Sequence, residues 1–141
     1  MTVPSWDEVE VGQRIPTDRE TLDQAHLIAY AAASGDLNPL HWDPDVAAEV
    51  SPTGGIIAHG MLNMGNVSRA VTRWAGGPER VLSLAATFKA PCPVGSTVTY
   101  GGEVVELDEH ARTATLAVWA ETEDGAKVVD RRSSRAVVQL G

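Results

Sequence analysis

The chain is poor in cysteine, in aromatic residues and in positive charge. Its single cysteine, Cys92, rules out an intrachain disulfide and any CxxC metal signature. It stands in Pro91-Cys92-Pro93, the setting of a small turn residue. Aromatics are 5% of the 141 residues, and four of the seven are Trp. Acids outnumber Lys and Arg by 19 to 11, a net charge of −8. That argues against a nucleic-acid binder, which needs a basic surface to neutralise phosphates. Arg69, Arg73, Arg80 and Lys89 lie close in sequence. They read as solvated surface charge, with an anionic ligand as the alternative. No run of about 18 apolar residues is present to form a membrane span.

The opening MTVPSWDEVEVG carries acids where an export signal carries bases, and it lacks an apolar stretch. A cytosolic protein is the expectation, which makes the sequon Asn66-Val67-Ser68 accidental. What is present suits one domain over residues 1–141. Hydrophobic residues are 43%, enough for a core, and single cores commonly occupy about 100–200 residues.

The first half reads helical and the second half β. Asp23 to Ala33 starts on an acid and is stopped by Gly35, with Leu27, Tyr30 and Ala31 on one face. Asp43-Pro44 can cap and open a short second helix reaching Val50. After the turn cluster Ser51 to Gly55, residues Ile57 to Ala75 read as a longer helix, small or apolar around most of its circumference and therefore buried. Gly76-Gly77-Pro78 ends it. From Arg80 the period becomes two. Strands are expected over Val81 to Ala90, Thr97 to Asp108, Thr113 to Glu123 and Lys127 to Leu140, with one more near Arg14 to Leu22. Glu109-His110 and Asp124-Gly125 mark hairpins. About five antiparallel strands wrapping one apolar helix make an α+β fold.

The stretch Ser34-Gly35-Asp36-Leu37-Asn38-Pro39-Leu40-His41-Trp42-Asp43-Pro44 carries the chemistry. Asp36 and His41 are five apart, so a regular helix would separate them. A turn fixed by Pro39 lets both point at one spot, where an acid and an imidazole sharing a water form a proton-transfer pair. Asn38 can donate and accept to hold the turn. The same spacing also serves an Asx turn with a surface histidine. Downstream, Gly60 opens the buried helix, so its N–H is an unpaired first-turn donor at the positive end of the helix dipole. Such a donor can bind a developing oxyanion, and a glycine there can equally be a packing residue. His59 reads as a capping or packing residue, with a ligand as the alternative; a metal site of Asp36, His41 and His59 is conceivable but matches no recognised ligand motif.

Tyr30-x-x-x-Ser34-Gly35-Asp36-Leu37-Asn38-Pro39-Leu40-His41-x-Asp43-Pro44, followed by Ala58-His59-Gly60-Met61-Leu62, resembles the hydratase motif of the MaoC-like family. These are (R)-specific enoyl hydratases and 3-hydroxyacyl thioester dehydratases. The resemblance is close over residues 30–62 and extends more loosely through Phe88-Lys89-Ala90-Pro91-x-Pro93-Val94-Gly95-Ser96 to nearly the whole chain. It implies a hot-dog fold, a sheet wrapped around a central helix with a helical overhang, usually paired with a second hot dog.

It also implies roles. Asp36 and His41 match the catalytic pair, and Gly60 matches the oxyanion amide. Asn38 matches the bracing carboxamide, and Ser68 a serine supporting the pair, with Ser34 of the motif as a further supporting residue. No metal or redox cofactor is implied, because CoA or carrier-protein phosphopantetheine belongs to the substrate. The short chain further resembles the catalytic subunit of two-chain hydroxyacyl-carrier-protein dehydratases. Alternatives are a non-catalytic partner subunit, against which both motif residues stand, and a hot-dog thioesterase, against which the absence of Asp or Glu over residues 60–75 counts. Trp42 is placed at the site or at a subunit interface. Gly65 and Ala70 leave either an acyl tunnel or dense packing.

Overall fold

Why the helices stop where they do is local. The computed structural model describes residues 2–141. Helix α1, Gln24–Ser34, begins where Asp23 accepts a hydrogen bond from the His26 N–H, and it ends at Gly35, which takes a left-handed conformation (φ 77°). Helix α2, Pro44–Val50, is capped by Asp43, whose carboxylate accepts from the N–H groups of Asp45 and Val46. Between them lies a 3-10 turn, Pro39–His41, with proline at its start. Helix α3 runs Gly60–Ala75, three residues later than its apolar pattern begins. Ile57 bridges to Pro93 instead, so the chain enters α3 extended.

One six-stranded antiparallel sheet surrounds α3, in the order β1-β3-β4-β6-β2, with β5 pairing β4. The strands are β1 Asp18–Thr21, β2 Val81–Ala85, β3 Thr97–Asp108, β4 Thr113–Thr122, β5 Lys127–Val129 and β6 Arg135–Gln139. The expected strand over Lys127 to Leu140 is therefore two. Asp130 breaks it by folding residues 130–134 into a turn, accepting from the Ser133 hydroxyl (3.1 Å) and from the Ser134 N–H through its carbonyl (3.0 Å). The strand from Val81 likewise ends at Ala85, not Ala90. The sheet around a helix is the architecture that the resemblance implies.

The core forms where α3 meets the sheet. Leu62, Val67 and Val71 are buried with Val98, Val104, Leu116, Val118 and Val138, each such side chain contributing about 1.5–3 kcal/mol on burial. The buried face of α3 is less apolar than its pattern implies. Met61 is exposed, while Asn63 and Asn66 point inward and are buried. Both amides meet Tyr100 on β3: its hydroxyl donates to Asn63 Oδ1 (2.8 Å) and accepts from Asn66 Nδ2 (3.0 Å). Burial pushes the Tyr100 phenol up to about 12. The sequon asparagine is thus a buried helix residue.

Candidate active site

Three side chains of the motif each bind the backbone two residues on. Ser34 Oγ accepts from the Asp36 N–H (3.2 Å), Asp36 Oδ1 from the Asn38 N–H (3.3 Å), and Asn38 Oδ1 from the Leu40 N–H (3.1 Å). Such side-chain turns are what Ser, Asp and Asn offer outside regular helices. Interlocked ahead of Pro39, they hold the loop between α1 and α2 in one shape. The side-chain turn is present, but its histidine is buried rather than on the surface. Asp36 Oδ1 braces the turn, while Oδ2 faces His41 Nε2 at 3.9 Å.

That gap exceeds a hydrogen bond. The Asp36 side chain is half exposed, and His41 is buried. His41 Nδ1 lies 2.6 Å from the Ile57 carbonyl. A carbonyl only accepts, so Nδ1 carries a proton and neutral His41 presents a bare Nε2 towards Asp36. A fixed imidazole lone pair and an open carboxylate oxygen thus look at the same point.

His59 completes the arrangement, a part its spacing does not signal. It is the residue preceding α3, yet its side chain makes no capping bond. Its ring stacks on His41 (centroids 3.8 Å apart, 24° between planes) and meets the edge of Tyr30. Nε2 donates to the Asp36 carbonyl at 3.3 Å, and Nδ1 is buried without a partner. Burial, then the neighbouring His41, lowers its pKa from 6.5, so it stays neutral. Asp36, His41 and His59 bring one potential metal-binding atom each within 4.8 Å of one another. Of the two His41 nitrogens, Nδ1 is committed to the Ile57 carbonyl.

Gly60 begins α3, so its N–H has no intrahelical acceptor. It lines a cavity of about 300 Å³ with Ile57, Asn63, Phe88, Lys89 and Val128. Asp36 and His41 do not line that cavity, and Ile57 joins the two places, its carbonyl accepting the hydrogen bond from His41 Nδ1–H while the residue forms part of the wall. Ser68 is half-buried two turns further along α3 and makes no side-chain hydrogen bond to the pair among the described residues. Trp42 is 41% exposed, donates from Nε1 to the Leu37 carbonyl and lines a shallow apolar recess with Ile28. Gly65 faces open space, whereas Ala70 is packed in the core.

The chain is similar to several known proteins. The family described as "MaoC like domain" matches residues 8–125. The (R)-specific enoyl-CoA hydratase of Aeromonas caviae is 36% identical over 137 residues, 96% of this chain and 98% of that protein. The 3-hydroxybutyryl-CoA dehydratase of Methylorubrum extorquens is 33% identical over 113 residues, 79% of this chain and 71% of that protein. A solved MaoC-like dehydratase, 33% identical, superposes on 99% of this chain with a TM-score of 0.90, and the chain spans 43% of that longer protein.

Proposed function

The chain belongs to the MaoC-like dehydratase family, and from that premise we propose that it is a hot-dog hydro-lyase. It adds water across trans-2-enoyl thioesters to give (R)-3-hydroxyacyl thioesters and runs the reverse dehydration. The observation that carries this reading is the 3.9 Å gap between Asp36 Oδ2 and His41 Nε2. Each group's other polar atom is already committed, Oδ1 to the Asn38 N–H and Nδ1 to the Ile57 carbonyl. The two free atoms suit one shared water.

Asp36 takes a proton from that water while His41 orients it. The water oxygen bonds to C3 of the enoyl chain. The C2–C3 π electrons move into an enolate whose charge sits on the thioester oxygen, and the Gly60 N–H stabilises that charge at the helix N-terminus. A proton added to C2 completes the hydration, and dehydration follows the same path backwards. Ser34 and Asn38 act by holding the turn. This chemistry needs neither a metal nor a redox cofactor, and CoA or phosphopantetheine arrives with the substrate. The substrate partner is an acyl-CoA or acyl-carrier protein, and a second hot-dog subunit, identical or not, completes the assembly. No helix among the described residues is long and apolar enough to cross a membrane.

The test follows enoyl absorbance with crotonyl-CoA. Wild type consumes it and yields the (R)-alcohol. Asp36→Asn and His41→Ala, folded as judged by circular dichroism, lose about 10²–10⁴-fold in kcat. Variants within a few-fold of wild type would remove the pair from the chemistry. Release of free thiol instead of alcohol would make the protein a thioesterase.

A further inference from the structure

Five of the chain's eleven Lys and Arg residues line one cleft. Arg14, Lys89, Lys127, Arg131 and Arg132 surround about 430 Å³ together with Trp119 and two acids, Glu121 and Asp130, on a molecule whose net charge is −8. Part of this rim is fixed. Glu103 Oε2 holds both Arg14 Nε (3.3 Å) and Arg131 Nη2 (2.7 Å), and Glu121 holds Lys127 Nζ (2.7 Å). The Arg131 guanidinium also lies 5.0 Å over the Trp119 ring. Lys89 and Arg132 form no ion pair among the described residues. Asp130, the acid nearest Arg132 in sequence, spends its carboxylate on the turn, accepting from the Arg132 N–H and the Ser133 hydroxyl. The contrast is Arg69 and Arg73, which Asp18 and Glu20 neutralise.

The cleft adjoins the cavity at Gly60. Lys89 lines both. Its N–H donates to the Val128 carbonyl, and the Ala90 N–H donates to that of Lys127, so residues 89–90 run as an edge against β5. Alternation along β5 then turns Val128 to the Gly60 cavity and Lys127 to the cleft. A ligand reaching from one to the other crosses a single strand edge at Lys89.

We infer that this cleft binds the phosphates of the nucleotide end of a CoA thioester whose acyl carbonyl lies at Gly60. The inference rests on the hydration reading and decides its substrate carrier. CoA offers a pyrophosphate and a 3′-phosphate on a flexible pantetheine arm. Preset guanidinium forks with two uncommitted cations suit several phosphate groups at close quarters. The single phosphodiester of a carrier-protein arm leaves most of these cations unmatched, and a folded carrier domain does not enter a recess of this size.

The test compares kcat/KM for crotonyl-CoA and crotonyl-pantetheine, which lacks every phosphate. Wild type favours the CoA ester by about 10²-fold, and Lys89→Glu and Arg132→Glu each cut that ratio about tenfold through the KM for crotonyl-CoA. A wild-type ratio near one, an unchanged ratio, or an equal fall for both esters overturns the assignment. So does faster turnover of crotonyl-carrier protein that Arg132→Glu abolishes. Calorimetry with adenosine 3′,5′-bisphosphate gives an activity-free readout. Saturable 1:1 binding weakened by both variants upholds the cleft even where neither ester is hydrated, a result that sinks only the hydratase reading. Absence of binding overturns the cleft itself.

Discussion

At His59 the buried Nδ1 has no hydrogen-bond partner among the described residues. Leaving such a group unsatisfied costs about 1–3 kcal/mol. The ring holds its place through the stack on His41 and the bond to the Asp36 carbonyl, so it ties the two halves of the pair together. Its pKa is lowered, chiefly by burial and next by His41. The groups facing it are Asp36, His41 and Tyr30. The unfolded chain therefore binds a proton near pH 6.5 that the folded chain refuses. Above that pH neither state is charged and His59 contributes nothing. As pH falls below it, the folded state loses stability until it too is protonated. His59→Gln keeps a donor for the Asp36 carbonyl and removes the titration. Urea unfolding at pH 8 and pH 5.5 should show a smaller acid-side loss in the variant than in wild type. Equal losses would place the titration elsewhere. The sequence offers no hint of this role, because the contact depends on the 23-residue separation between Asp36 and His59 closing in the fold.

Helix α3 shows which features local sequence reveals and which it hides. Its end at Gly76, the capping of α1 and α2, and the 3-10 turn after Asn38 depend on neighbours a few residues away, so spacing exposes them. Asn63 and Asn66 are legible only once Tyr100 is in place, 37 and 34 residues on. The division of the last strand is similar, since one acidic turn interrupts an otherwise continuous alternation. The first residue of α3 separates packing from chemistry. A Cβ on Gly60 would sit 3.2 Å from the Phe88 ring. Phe88 is 44% exposed and can yield. Gly60 is also outside the left-handed region, so alanine is compatible with its backbone. Gly60→Ala should change stability by less than about 1 kcal/mol. Its methyl group intrudes beside the amide proposed to meet the thioester oxygen, and kcat/KM should fall at least about tenfold, towards the cost of losing one oxyanion donor. Urea titration and crotonyl-CoA kinetics on one preparation check both halves. Undiminished activity would reduce Gly60 to a packing residue.

Among the described residues, the sheet path β1-β3-β4-β6-β2 ends in two strand edges, β1 and β2. The order β1-β3-β4-β6-β2 is not readable from periodicity, which finds strands but not their neighbours. Edges need cover, because a free ladder pairs with whatever strand it meets. No residue of β2 is fully buried. Its register shifts between Val81 and Ser83, and the residue caught in the shift, Leu82, is 55% exposed. A bulge alone blunts an edge, but one that presents a leucine invites apolar cover, and Phe88 stands exposed a short way along the chain. The expected cover is the β2 edge of a second hot dog, antiparallel to this one. Sedimentation velocity should find a dimer of the isolated chain at micromolar concentration. Leu82→Asp places a charge on each side of that seam and should shift it to monomer while circular dichroism stays unchanged. A wild-type monomer that dimerises only with a different hot-dog subunit would make the assembly heteromeric. A Leu82→Asp protein that remains dimeric would move the interface away from β2, leaving β1 as the edge to test.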